Sequence, residues 1–295
     1  SAAAFAASGL IPACEDSQTE VPSSGGNYMG DFIAPKLDKV RIAFIGVGKR
    51  GGGHLKYLSG LEGTEVVAIS DLYEDNVNDK IKIIKHSTNF NQHPKIQTYW
   101  GSDIKWKAML NEVKPDAVFI STNWKNHAPM AIESMKNGAH AFVEVPLATS
   151  IKDLWSIIDT SERTQRHCMM MENVNYGRTE LMYLNMCRNG LIGDFLHAEA
   201  AYIHELRWQM NEVDRGTGSW RTPQYAYGKG NLYPTHGLGP VAQYMSLSRT
   251  DDNFKSLVSY SSPALGRAIH AKKNFSDDHK WNQLDYKNGD MNTSI

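Results

Sequence analysis

The sequence predicts an α/β protein: a doubly wound parallel sheet first, then a smaller α+β domain with a mainly antiparallel sheet. Two observations carry this expectation. Short apolar, β-branched runs alternate with helical segments from Val40 to about Thr164, the pattern of parallel strands joined by crossover helices. From about Tyr176 the helix TELMYLNMCRNG leads into period-two segments such as FLHAEAAYIHEL and FKSLVSYSS, which suit strands with one covered face.

The elements follow in order. Val40 to Ile45 (VRIAFI) reads as a buried parallel strand, and Gly46, Gly48 and Gly51 follow it in the spacing G-x-G-x-x-G. Such a turn is informative only in context. Here a helix follows around Gly53 to Ser59, and a second strand, EVVAIS, ends at Asp71, 20 residues beyond Gly51. That is the arrangement of a Rossmann-type dinucleotide fold. The pyrophosphate lies against the helix N-terminus and the acid holds the adenosine ribose. DAVFIS is the next strand, NHAPMAIESMKNG a helix ended by Gly138, HAFVEVP a strand, and SIKDLWSIIDTSERT a helix capped by Ser150. HCMMMENV is a short strand with Glu172 and Asn173 at its end. Ligands of such sheets bind at the carboxyl ends of the strands. Asn123 to His127, Glu144 and Asn173 are therefore expected to line a cofactor crevice.

Two later stretches are expected to be irregular. Met210 to Gly230, rich in Gly, Arg, Trp and Tyr, reads as a long loop. GKGNLYPTHGLGPVAQYM (228–245) places Tyr233 and His236 among four glycines and two prolines, which argues for bent backbone rather than helix or strand. The expected organisation is a leader remnant and tether (1–38), a nucleotide-binding domain (39–175) and a second domain (176–295) incomplete at its C-terminus.

The chain of 295 residues is 41% hydrophobic, with 31 basic and 32 acidic residues and a formal charge of -1. This is enough apolar material for globular cores, and no net field to attract nucleic acid. Three cysteines, Cys14, Cys168 and Cys187, offer neither a disulfide framework nor metal spacing. CMMM at 168–171 reads as core, and no metal site is expected. The first residues, SAAAFAASGLIPAC, are small and apolar up to Ala13 and polar after Cys14. They are shorter than the roughly 20 residues that span a bilayer and suit the end of a signal peptide. The ending at Cys14 resembles a bacterial lipoprotein site, so lipidation at Cys14 and an exported, periplasmic or membrane-anchored protein are expected. A cloning remnant or an unprocessed leader is the alternative.

The glycine-rich turn, the strand-end acid and Glu144-Val145-Pro146 resemble the Gfo/Idh/MocA oxidoreductases, which bind NAD(P) and act on sugars. That family commonly has Glu-Lys-Pro here, its lysine acting on the substrate hydroxyl. Val145 cannot move a proton. EVPLATS, CMMMENVNYGR, GDFLHAEAAYIHELRW, WRT and GNLYPTHGLGPVA are together similar to glycoside hydrolase family 109, NAD-dependent α-N-acetylgalactosaminidases often exported from bacteria. The resemblance runs from about Val40 to Ile295.

It implies NAD contacts at Arg50-Gly51, Asp71, Trp124, Lys125, Asn126, His127, Glu144, Val145 and Asn173. It further implies substrate contacts at Tyr202, Arg221 and Tyr233, with His236 near both nicotinamide and sugar. His236 is the expected acid or base, since an imidazole titrates near neutrality, and Tyr233 is expected to assist it. The implied reaction is C3 oxidation, C1–C2 elimination, water addition and re-reduction, outside the two-carboxylate scheme of most glycosidases. Plainer readings stand beside these: Tyr202 as strand packing, Arg221 as a cation stacked on Trp220, His127 as a core or capping histidine. Alternative functions are a sugar dehydrogenase and a glycan-binding protein that retains NAD. A glycan substrate and a possible homo-oligomer are the expected partners.

Overall fold

The computed structural model describes residues 26–87, 89–93, 95–248 and 252–295. Cys14 and the predicted leader remnant lie outside the described residues. Residues 26–38 contain no helix or strand, yet they are docked rather than free: Gln165 Nε2 reaches Asn27 O at 3.4 Å, and the Phe32 ring lies 5.2 Å from that of His167.

The first domain alternates β1 (Val40–Ile45), α1 (Lys49–Leu58), β2 (Thr64–Ser70), α2 (Glu74–Lys85), β3 (Gln97–Tyr99), α3 (Lys105–Val113), β4 (Ala117–Ile120), α4 (Trp124–Lys136), β5 (His140–Val143), α5 (Ile151–Thr164) and β6 (Cys168–Met170). The six strands form one sheet in the order β3-β2-β1-β4-β5-β6, and every pairing is parallel. Side chains alternate across it, as the pleat requires. Ile42 and Phe44 pack with Leu55, Val77 and Ile84 on one face, while Ala43 and Ile45 pack with Met109, Leu110, Met130 and Met135 on the other. The order reverses between β1 and β4, which leaves a crevice above their carboxyl ends. Helix boundaries obey local chemistry: Ser150 Oγ accepts from Asp153 N at 3.1 Å at the start of α5, and Gly138, with φ +90°, turns the chain out of α4.

The second part holds α6 (Arg178–Arg188), α7 (Thr217–Tyr227), α8 (Thr235–Tyr244), β7 (Ser259–Ser261), α9 (Gly266–Asn274) and β8 (Asn292–Ser294). Its core gathers Met210, Tyr225, Ala271, Trp281 and Tyr286.

The expected antiparallel sheet of the second part is present, as two short strands among the described residues paired from Ser259↔Ser294 to Ser261↔Asn292. Three segments differ from expectation. FLHAEAAYIHEL forms no strand; Leu196 and Ile203 are 96% and 77% exposed. Alternation specifies which face is to be covered, but a strand also needs a neighbour to accept its hydrogen bonds. The predicted loop 210–230 contains the helix α7, with Pro223 inside it. The predicted bend around Tyr233 and His236 is largely the helix α8, which takes Pro234 as its N-cap and holds Pro240 inside. Pro234 costs nothing there because the first amides of a helix have no intrahelical acceptor. The glycines serve close packing instead. A Cβ on Gly237 would come within 3.0 Å of Ala200 Cβ, and one on Gly239 within 2.8 Å of Asn175 Nδ2.

Candidate active site

The crevice is built first by the turn after β1. Gly46 has φ +81°, which a side chain rarely adopts, and a Cβ on Gly51 would lie 1.9 Å from Gly46 O. Only glycine allows this close crossing of turn and helix. The N-cap of α1 is Gly48, with no side-chain cap and no acid in the first turn, so the positive end of the helix is open to an anion. Asp71 follows β2 and curls over this turn. Its Oδ2 accepts from Val47 N at 2.8 Å, and its Oδ1 from Tyr73 N and Asn76 Nδ2 at 2.9 and 3.0 Å.

Glu144 follows β5 and is 8% exposed. It accepts from His54 Nε2 at 2.6 Å, and Arg50 Nε lies 3.4 Å away. Burial alone would raise its pKa, but the bond from His54 and the Arg50 charge outweigh burial and hold the carboxyl below its usual value. His54 was not expected at the site. The available signal was its spacing, one helical turn beyond Arg50 and Gly51.

His127 is buried, with Nδ1 2.7 Å from Pro146 O and Nε2 3.2 Å from Thr122 O, and the neutral ring donates to one of these carbonyls. Burial depresses its pKa despite these bonds. The imidazole ties the turn after β5 to the end of β4. Trp124 is buried at the start of α4, Lys125 is exposed, and Asn126 is partly exposed. Val145 is buried in a small cluster with Trp124 and Tyr233, and the peptide bond joining it to Pro146 is cis. Asn173 is exposed at the end of the β6 segment.

The second part brings four side chains to this edge. The Tyr233 ring stacks on His236 at 5.3 Å and 11° and meets Trp124 edge-on at 5.6 Å. Tyr202 lies 4.7 Å from the His236 ring and 5.6 Å from Tyr233. The Arg221 guanidinium sits 5.2 to 5.4 Å from the rings of Trp220, Trp124 and Tyr233, and its Nη1 donates to Gln209 Oε1 at 3.2 Å. His236 Nδ1 makes a short hydrogen bond to Glu172 Oε1, and Glu172 Oε2 accepts from Asn175 N at 2.8 Å. A cavity of about 220 Å³ opens beside Trp124 and Trp220. Sequence reasoning placed Glu172 at a strand end but gave it no part; no local pattern links it to a histidine 64 residues away.

Burial raises the phenol pKa of Tyr233 to about 12 although Arg221 opposes it, and burial raises that of Tyr202 against the same charge. Both are neutral hydrogen-bond donors at physiological pH. Buried polar atoms normally have partners, but Ser121 Oγ, Asn123 Oδ1, Asn175 Oδ1, Arg221 Nε and Thr235 Oγ1 have none. All five residues lie just after β4, on α7, or within three residues of Glu172 or Tyr233 in sequence. Together with the uncapped α1, they fit an extended polar ligand such as a dinucleotide with a sugar beside it. No cluster of His, Cys, Asp and Glu that could hold a metal occurs among the described residues.

Residues 40–172 match the NAD-binding Rossmann fold of an oxidoreductase family, and residues 176–295 match the C-terminal domain of glycosyl hydrolase 109. The chain belongs to glycoside hydrolase family 109. Glycosyl hydrolase family 109 protein 1 of Akkermansia muciniphila is 61% identical over 271 residues, which is 92% of this chain and 56% of that protein. An alpha-N-acetylgalactosaminidase of Shewanella oneidensis is 56% identical over 275 residues, 93% of this chain and 58% of that protein. The family 109 chain thus spans a little over half the length of these curated relatives.

Solved structures share its fold. Myo-inositol 2-dehydrogenase from Lactobacillus plantarum superposes with a TM-score of 0.61 at 17% identity, over 80% of this chain and 62% of that one. Scyllo-inositol dehydrogenase from Lactobacillus casei, with bound NAD(H) and scyllo-inositol, gives 0.60 at 14% identity, over 78% and 61%.

Proposed function

We propose that this chain carries the catalytic groups of an NAD-dependent retaining glycosidase that removes terminal α-N-acetylgalactosamine or a related hexosaminide. The observation that carries the reading is the Glu172-His236 pair, set beside Tyr202, Tyr233 and Arg221 at the carboxyl edge of an NAD-binding type of sheet. Family membership and a relative named alpha-N-acetylgalactosaminidase support the substrate class.

The Gly46–Gly51 turn would hold the cofactor pyrophosphate and Asp71 the adenosine ribose. Arg50, Trp124, Lys125, Asn126, His127 with its neighbouring main chain, Glu144, Val145 and Asn173 would line the remainder. NAD would supply a reversible hydride acceptor, so that C3 of the sugar is oxidised and later reduced again with no net redox change. A C3 carbonyl acidifies the C2 proton, because the resulting carbanion is an enolate. His236 is the group suited to take that proton. An ionised Glu172 accepts at Oε1 from Nδ1–H, and that tautomer leaves the Nε2 lone pair for the substrate. Loss of the C1 aglycone and addition of water at C1 complete the replacement of one C1–O bond by another. Neutral Tyr233 donates to a sugar oxygen, and Arg221 offers Nε to an acceptor on the substrate.

A sugar dehydrogenase with the same fold is disfavoured by Val145, which is packed against Trp124 and Tyr233 where that family carries its lysine. The expected setting is export from a bacterium, with lipidation at Cys14, a glycan partner and self-association. Removing the cofactor and restoring it tests the proposal. Aglycone release should return with NAD in amounts stoichiometric with protein, and no NADH should accumulate. Release that is indifferent to NAD contradicts it.

A further inference from the structure

The ten residues before α7 do something that family membership does not explain. Residues 207–216 leave the second core and cross to the nucleotide-binding half. Their root is fixed. Met210 is buried, Trp281 Nε1 donates to Met210 O at 2.9 Å, and Lys280 Nζ donates to Val213 O at 2.7 Å. Their tip is held at two points of the cofactor crevice. Glu212 accepts from Lys49 Nζ at 2.6 Å through Oε1 and from Gly218 N at 3.1 Å through Oε2; Lys49 is the first residue of α1 and lies 5.6 Å from the Trp208 ring. Arg215 reaches the start of α2. Its guanidinium lies 3.9 Å from the Tyr73 ring centre and pairs with Asp75 at 2.8 and 3.0 Å. It also donates to Asn76 Oδ1 at 3.0 Å. Asn76 in turn donates to Asp71 Oδ1 at 3.0 Å, the acid suited to the adenosine ribose.

We propose that residues 212–215 form a strap across the adenosine end of the crevice, with Lys49 and Arg215 as retention residues that slow cofactor release. The inference rests on the proposed function. A dehydrogenase must exchange its cofactor in every cycle, and a strap over the adenosine would tax turnover. A glycosidase that returns its hydride has no such need. Each of these ion pairs is partly exposed, and such a pair alone is worth little. The strap concentrates several contacts on a segment whose root is already ordered, so little further conformational freedom is lost on closure. Release must break the contacts together, and removal of one side chain then shows in the dissociation rate.

The test uses the full chain loaded with adenine-labelled NAD and chased with excess unlabelled NAD. Arg215→Ala and Lys49→Ala are each expected to release label about tenfold faster, which corresponds to about 1.4 kcal/mol. High salt should speed the unsubstituted protein more than the variants. Labelled ADP-ribose should show the same acceleration, because the strap acts on the adenosine half. Melting temperatures measured without cofactor should stay close to that of the unsubstituted protein, which separates retention from folding. Release rates unchanged in both variants overturn the strap while leaving the glycosidase reading intact. Acceleration for NAD but none for ADP-ribose also overturns it. An unsubstituted protein that holds no NAD overturns both readings.

Discussion

Glu172 and His236 meet across the joint between the two parts of the chain: the imidazole Nδ1 donates to a carboxylate that is 1% exposed. The carboxylate fixes the tautomer and the ring, so the pair acts as one unit with its free nitrogen turned away from Glu172. Glu172→Gln keeps the shape but offers Nδ1 a donor, which favours the opposite tautomer. Loss of a positioned acid or base typically costs 10²–10⁴ in rate. His236→Ala is expected to lower kcat by about that range. Glu172→Gln should fall in the same range with KM little changed, and the double variant should be no worse than the worse single one. Steady-state kinetics of the three variants checks this, and a Glu172→Gln enzyme with unchanged kcat contradicts it.

Arg221 lies among three aromatic rings with Nε buried and unpaired. A planar guanidinium suits this setting and an ammonium does not. Arg221→Lys is expected to lower kcat/KM about 10- to 100-fold, the value of a charge-assisted hydrogen bond. The expected effect is on substrate rather than on retained NAD. Kinetics together with cofactor content of the purified variant decides; a lysine that fully substitutes contradicts the role.

Tyr233 makes a pH statement. Burial raises its folded-state value to about 12, above the roughly 10 of an unfolded tyrosine. A raised value means that stability is complete below about pH 10 and is lost as pH rises through about 12. Difference titration at 295 nm between the cofactor-free protein and Tyr233→Phe should show one phenol ionising near 12. The same variant should lose less stability on the alkaline side. A missing phenol that titrates near 10 would show that the ring is not held as described.

Glu144 works in the other direction. Its value is depressed because His54 and Arg50 overcome the burial penalty. The depression contributes stability above the unfolded carboxyl value of about 4.3, and this is lost as pH falls through the lower folded value. Glu144→Gln should therefore melt below the unsubstituted protein at pH 7, and the gap should narrow as pH falls below about 4. Thermal unfolding of the cofactor-free protein across that range checks it. A gap that is constant with pH contradicts the assignment.

The first domain was legible because its signals are local. Five of the six residues of β1 are apolar, Gly46 and Gly51 meet steric needs within one turn, and Ser150 starts α5 and Gly138 follows α4 by their own chemistry. The second part was harder to read. Pro234 and Pro240 look like helix breakers, yet one serves as the N-cap of α8 and the other lies within it. The alternation from Phe195 to Leu206 says nothing about whether a partner strand stands beside it. Tyr233, His236, Tyr202 and Arg221 came from motif resemblance, whereas Glu172 and Arg215 depend on contacts across 64 and 140 residues, beyond the reach of any local pattern; for His54, whose partner is 90 residues away, helical spacing from Arg50 was the one local signal.

The central claim is that a sugar is cleaved through abstraction of its C2 proton. The direct measurement is hydrolysis of an α-N-acetylgalactosaminide aryl glycoside in D2O by the full chain with bound NAD, followed by NMR of the released sugar. The account predicts aglycone release, deuterium at C2 of the product, retained anomeric configuration at C1 and no net NADH. Product with its original C2 proton, or NADH accumulating without aglycone, would contradict it.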